Sequence, residues 1–472
     1  MSRQRQLVLP DPRLVGSGGP VQVRPRSHAR RHGQAEAPVQ VNAALGMVVL
    51  GVALLPFLTP KGPGHSAPVD IALMLAIVTV ILWAGVTRSR LHVPYVVPVA
   101  GLVLVGCVSA LLSDAPSAGG IAVAQEIFLL AWCAAVTSVC RTPGALRVVV
   151  RAWCLSATTW ATFLVAAVVA GQPGLAGVAG GAGGRARLLF DHPNMAGNYF
   201  LISILVIIAA GYPRRAPVRA LACSVLFVAM VLAGSNAALL SLALVGLALL
   251  FLRLRSRSGL ITATAVVLCV LFVGGAVWTV AAQPVMSAIE ETDNTVVRYS
   301  VSRGPRSADA RQMLFAAQYE LFREGHLLGV GPAGTREALD ESPSALVKES
   351  HNDYLATLVE RGPLGVLALL LLIGAVAVRA ASVGRPRLSA AYAAVIPRPG
   401  ALAGAFVVFA FSAITHEVLH YRHLWTLLAI LAALYLFGRR DARTAPTGPA
   451  VPDIDRTRRP PPTVAPFPAD GR

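Results

Sequence analysis

Charged residues are scarce in this chain, 14% of its 472 residues against 55% hydrophobic. That composition excludes a water-facing surface over most of its length. Cysteine is scarce as well. The six present, Cys107, Cys133, Cys140, Cys154, Cys223 and Cys269, all lie in or at the edge of apolar runs, and no two form a C-x-x-C pair. Neither a disulfide framework nor a metal site is signalled, and they read as small buried apolar residues. No internal repeat is visible, so the usual signature of a transporter built from two like halves is missing. The long outer connections hold no D-x-D metal pair. Acidic residues are few enough to leave a formal charge of +18. The basic residues stand mainly in short runs between hydrophobic segments and in the two tails, which is the pattern of membrane topology and not of nucleic-acid binding.

What the chain has in abundance is apolar runs of about 18 to 22 residues, the length that spans a bilayer. They predict an all-α polytopic membrane protein of about twelve transmembrane helices, with one large, partly helical extracytoplasmic loop between spans 9 and 10. The twelve runs are 42–58, 69–86, 93–112, 119–139, 148–170, 194–211, 217–233, 235–252, 259–281, 363–381, 400–419 and 422–437. Residues 1–41, with seven arginines, are expected to be a disordered basic arm, too long and broken for the charged end of a signal peptide. Spans 1–9 then occupy 42–281, the large loop 282–362, spans 10–12 residues 363–437, and a basic tail 438–472. Counting Lys and Arg connection by connection puts both termini in the cytoplasm. The inner connections carry Arg88 and Arg90, Arg141 and Arg147, Arg214, Arg215 and Arg219, Arg253, Arg255 and Arg257, then Arg379, Arg385, Arg387 and Arg398. The short outer ones hold little beyond Lys61.

Two outer segments break that rule and so attract a functional reading. In 282–362 there are eight basic residues, among them Arg298, Arg303, Arg306, Arg311 and Arg336. From Asp309 to Phe322, Phe315, Tyr319 and Phe322 recur at helical spacing, which predicts an amphipathic helix lying on the outer membrane surface against lipid. Arg311 falls one turn before Phe315, on the apolar face. An arginine there needs an anion, such as a lipid-borne phosphate, or else it snorkels to headgroups or pairs with a loop acid. The turn Leu327-Leu328-Gly329-Val330-Gly331-Pro332-Ala333-Gly334-Thr335 offers backbone N–H groups to an anion, or simply ends a helix. Ser350 and Asp353 have capping-box spacing, which starts a helix with His351 as its first residue. The positive end of a helix disfavours imidazolium, so His351 reads either as a neutral base beside an anion site or as a capping group.

The other exception runs from Gly183 through Arg185 and Arg187 to Phe190-Asp191-His192-Pro193-Asn194. It predicts a second helix start on the same face, capped by Asp191 or His192 with Pro193 in the first turn. Within the spans, Glu126, Arg151, His416 and Glu417 are costly if they face lipid. His416, Glu417, His420, Arg422 and His423 cluster at the outer ends of the last two spans and border the same external cavity. Glu126 and Arg151 serve equally well as inter-helix contacts.

Taken in order, Phe190-Asp191-His192-Pro193-Asn194-Met195-Ala196, Arg311 with Phe315, Leu327-Leu328-Gly329-Val330-Gly331, His351-Asn352-Asp353-Tyr354-Leu355 and Glu360-Arg361-Gly362-Pro363-Leu364-Gly365 resemble the O-antigen ligase and O-antigen polymerase superfamily, most clearly over 183–375. Ser235-Asn236 stands where the family often has Ser-Arg, which shifts the phosphate-binding expectation to Arg185, Arg187, Arg298 and Arg311. The resemblance implies metal-independent, cofactor-free glycosyl transfer at the cell membrane, from a polyprenyl-diphosphate-linked oligosaccharide to an acceptor hydroxyl on a glycan, lipid or protein. It implies His351 and Arg311 as catalytic, and Arg185, Arg187, His192, Asn194, Arg298, Asn352, Asp353, Tyr354 and His416 as substrate-binding. The Ala-, Arg- and Gly-heavy composition favours a polymerase of a capsule, exopolysaccharide or wall polymer. A ligase, or a flippase for the lipid-linked sugar, are the alternatives.

Overall fold

The computed structural model describes residues 42–58, 67–178, 185–291, 304–324, 327–341, 352–383 and 388–439. The basic arm, most of the tail, Arg298 and His351 therefore lie outside the described residues. All regular elements among the described residues are helices. In chain order they are α1 (Ala43–Ala53), α2 (Pro68–Thr87), α3 (Val96–Leu111), α4 (Pro116–Val139), α5 (Pro143–Val169), α6 (Pro193–Ala210), α7 (Ala216–Leu232), α8 (Asn236–Glu290), α9 (Gly304–Glu324), α10 (Thr335–Glu341), α11 (Asp353–Val383), α12 (Ala390–Val395), α13 (Gly400–Thr415) and α14 (Arg422–Phe437).

Local chemistry sets most of these starts. Proline stands in the first turn of α2, α4, α5, α6 and α7, where its missing N–H costs nothing and its fixed φ favours the helix. The Asn42 side-chain oxygen accepts the Leu45 N–H at 2.9 Å and caps α1. Glycine breaks two long elements: Gly259 in α8 at φ 86° and Gly362 in α11 at φ 64°. Each of the expected apolar runs carries helix, with α8 supplying two on either side of Gly259. Six helices, α2, α4, α5, α6, α8 and α11, are long and apolar enough to cross a membrane, while α1, α3, α7, α13 and α14 are apolar but shorter. The short α12, between α11 and α13, was not expected.

Burial separates helices that hydropathy cannot. The apolar stretch of α6 is 83% buried and that of α8 only 6%. So α6 is a core helix, packed against α5, α7, α8 and α13, whereas α8 shows its apolar side chains outward, as a lipid-facing span does. The helix α14 is the second core element, set against α4 and α11. Its contacts include Trp132 Nε1 donating to Thr426 Oγ1 at 2.9 Å, and Tyr95 donating to the Leu428 carbonyl at 3.1 Å. These bonds satisfy the polar ends of large buried rings.

The helix in the large loop is longer than expected and turned differently. α9 begins at Gly304 and packs on α10 and α11. It buries Leu314 and Gln318, leaving Phe315 53% and Tyr319 46% exposed. The stripe it gives to the protein is thus one residue out of step with the aromatic one, because α11 and not only the membrane supplies a partner.

Candidate functional site

Four elements meet at a narrow pocket lined by Asn194 and Asn198 of α6, Ser235 before α8, Ser412 and His416 at the end of α13, and Tyr421 before α14. Asn194 and Asn198 share one face because they stand four residues apart on a helix. Their helix begins where it does because His192 Nδ1 accepts the Asn194 N–H at 3.2 Å, with Pro193 in the first turn; Asp191 is not the cap. Ser235 Oγ caps α8 by accepting the Ala238 N–H at 3.3 Å. At the back of the pocket, Asn198 Nδ2 donates to Ser412 Oγ at 2.9 Å, and its Oδ1 lies 2.9 Å from Nε2 of the fully buried His423. Asn198 is acceptor-only at that oxygen, so His423 is the donor. Burial, and then the neighbouring carboxyls of Asp353, Glu417 and Asp191, hold the Tyr421 hydroxyl well above its usual range and keep it a neutral phenol.

Of the expected site residues, Arg185, Asn194 and His416 come together here. Arg185 is 8% exposed, and one guanidinium nitrogen lies 3.4 Å from both Asn194 Oδ1 and the Gly234 carbonyl. Its charge thus stands between the starts of α6 and α8, two helix ends that favour an anion. Arg187 is used differently: it donates to the Gly177 and Asp191 carbonyls and shapes its own loop. Tyr354 donates to the Ala410 carbonyl at 3.3 Å, tying α11 to α13. Arg311 lies on α9, three residues before Leu314 and seven before Gln318, and its side chain is outside what is described.

The start of α11 corrects the capping-box expectation. The Asn352 side-chain oxygen accepts the N–H groups of Tyr354 at 2.9 Å and Leu355 at 3.2 Å, so Asn352 is the cap and Asp353 the first helical residue. His351 falls one position before the cap. Asp353, expected at the substrate, is 4% exposed, and its Oδ2 accepts the Val418 N–H at 2.8 Å.

The glycine turn is corrected too. Its Val330 and Gly331 N–H groups go to the Val359 and Glu360 carbonyls at 2.9 and 3.1 Å, not to an open anion site. Ser109 Oγ sits between the Leu328 and Glu360 carbonyls at 2.6 and 2.7 Å, and Thr335 Oγ1 donates to Glu360 Oε1 at 2.8 Å. The turn is therefore a seam that grips the break at Gly362. Glu126 and Arg151 both have protein partners: Glu126 pairs with Arg361, and Arg151 lies 5.2 Å from the centre of the Tyr212 ring.

Sequence reading missed Asn198 and Ser412. The first had a signal, its spacing four residues after Asn194 in a helix that Pro193 starts. Ser412 had none, being one small polar residue in an apolar run.

With helices as the regular elements among the described residues, six of them long and apolar enough to cross a bilayer, the protein is of the multi-pass membrane class. Residues 220–370 match the O-antigen ligase family, and that match supports the likeness of this stretch to the O-antigen ligase and polymerase superfamily. It supports glycan transfer of that general type. The matched stretch contains Arg311, the glycine turn and the His351–Leu355 run, while Asn194 and His416 fall outside it. No curated protein matches the chain.

Proposed function

We propose that the protein transfers a glycan, outside the cytoplasmic membrane, from a polyprenyl-diphosphate-linked oligosaccharide to an acceptor hydroxyl, and that it does so as a polymerase of a cell-surface polysaccharide. The observation that carries this reading is the junction of α11 with the pocket. The family-matched start of α11, two residues beyond His351, bonds through Asp353 to Val418 in the wall that also bears His416. In this reading His351 takes the proton of the acceptor hydroxyl as its oxygen attacks the anomeric carbon. The bond from that carbon to the diphosphate oxygen breaks, and the new glycosidic bond forms. Negative charge then grows on the leaving diphosphate, where Arg185, the starts of α6 and α8, and Arg311 from the loop helix stabilise it. Histidine and arginine carry both the proton and the charge, so the scheme has no metal step. The choice of polymerase over ligase rests on composition.

The test is single-turnover transfer by purified protein from a labelled polyprenyl-diphosphate oligosaccharide. His351→Ala is expected to lose about 10²-fold to 10⁴-fold in rate, with donor binding little changed. His351→Gln keeps a hydrogen-bonding group but cannot take a proton near neutral pH, and is expected to be equally poor. A glutamine variant with parental rate and pH profile removes His351 as the base.

A further inference from the structure

Residues 416–422, the irregular stretch after α13 together with the first residue of α14, bear His416 and Tyr421 on the pocket wall. Irregular backbone beside a pocket is ordinarily free to move, yet this stretch is tied down along its length. The Val418 N–H donates to Asp353 Oδ2 at 2.8 Å, and the Leu419 N–H also faces that carboxyl. Trp425 Nε1 donates to the Leu419 carbonyl at 2.6 Å. Arg422 reaches back to the His420 carbonyl at 3.0 Å while its Nε and a terminal nitrogen hold both oxygens of Asp70 at 2.9 and 2.7 Å. The outer end of the segment is thus anchored to α2 and its inner part to α11. At 4% exposure, Asp353 is enclosed, and the hydrogen bonds its carboxyl accepts come from backbone amides of the wall.

We infer that Asp353 is a positioning residue for the transfer reaction: its carboxyl fixes segment 416–422, and with it His416 and Tyr421, against the start of α11. The bond works in both directions. It holds the wall, and it holds the helix start that directly follows His351 and Asn352. The inference rests on the glycan-transfer reading and adds to it a residue that acts without touching substrate. The chemistry asked of Asp353 is only acceptance of backbone N–H bonds. An amide oxygen supplies that equally well, whereas proton transfer or charge would require the acid.

The experiment uses full-length protein with Asp353→Asn, Asp353→Ala and Asp353→Ser, read by amide hydrogen exchange and by transfer. In the alanine and serine variants the amides of 416–422 are expected to exchange at least about tenfold faster, because a buried donor has lost its acceptor. Their acceptor KM should rise about as much, with donor binding unchanged. Asp353→Asn should match the parent in exchange and keep transfer within about threefold, with an unshifted pH profile. An asparagine variant as impaired in transfer as alanine, with slow exchange retained, overturns the inference, since it would give the carboxyl itself a chemical role. Unchanged exchange in all three variants overturns it as well. Faster exchange with parental transfer removes Asp353 from the reaction and leaves glycan transfer standing. Absence of transfer in the parent sinks the functional reading instead. Should alanine fail to fold, the serine variant carries the same comparison.

Discussion

Arg361 stands just before the break in α11 with its side chain 7% exposed, paired to Glu126 at 19%. Removing one member strands the other in a place with little water. Arg361→Met is expected to destabilise the protein by about 3 kcal/mol, seen as a lower thermal midpoint in detergent. The double variant Glu126→Leu/Arg361→Met should recover most of that loss, because an apolar pair of similar volume leaves neither member of the ion pair without its partner. A double variant no better than the single would mean that Arg361 matters through its packing against Gly365 and not through the pair. At this scale the sequence was half legible. Glu126 was noticeable as an acid in an apolar run, and its need for a partner followed from the cost of a bare carboxylate. The partner was not readable, since it lies 235 residues away and belongs to a helix break.

That break belongs to an element-scale device, the glycine seam between 327–335 and the middle of α11. Gly362 has φ +64°, and a Cβ there would lie 1.8 Å from the Leu327 carbonyl oxygen. Gly374, in the same helix, has nothing within 4 Å of the equivalent position. Gly362→Ala should therefore cost about 3 kcal/mol or more, from a left-handed backbone and a clash with an immovable carbonyl, and should expose 327–335 to protease. Gly374→Ala should be neutral or slightly stabilising by the same thermal and proteolytic measurements. Equal behaviour of the two would mean that the seam is not rigid. Asn352→Ala, which removes the cap of α11, should cost about 1 kcal/mol. Element starts with local signatures were readable, as Pro193 with its histidine cap shows. Ser350 and Asp353 also had a local signature, and it misled, because Asn352 offered a better acceptor and Asp353 was drawn to Val418. The glycine turn misled for a similar reason: free N–H groups in a loop attract an anion only if no carbonyl of another helix reaches them first.

For the whole molecule, hydropathy located the apolar helices but not their order of burial, since α6 and α8 read alike and only packing makes one a core helix and the other an outer one. It also left open what α8 does. Its 55 residues would measure about 80 Å as one rod, against about 30 Å of hydrocarbon, so it either crosses once with a long extension or turns back at Gly259. The pocket argues for the second. Ser235, at the start of α8, and Val418, which Asp353 at the start of α11 holds by its amide, line one pocket and so share a side of the membrane. Between Ser235 and Asp353 the chain must cross an even number of times, and α8 is the only helix long and apolar enough to do so among the described residues there. Arg253, Arg255 and Arg257 just before Gly259 suit a cytoplasmic turn. Cysteines placed singly at Ser307, at the start of α9, and at Ala391, exposed on α12, test this in a background lacking the native cysteines, of which Cys107 and Cys269 are exposed. With a turn at Gly259, an impermeant thiol reagent added outside intact cells should label the Ser307 position, and the Ala391 position only after the membrane is opened. A single crossing by α8 inverts both results, puts α9 and the start of α11 in the cytoplasm, and parts them from the side to which the charge count assigns Asn194 and Ser235.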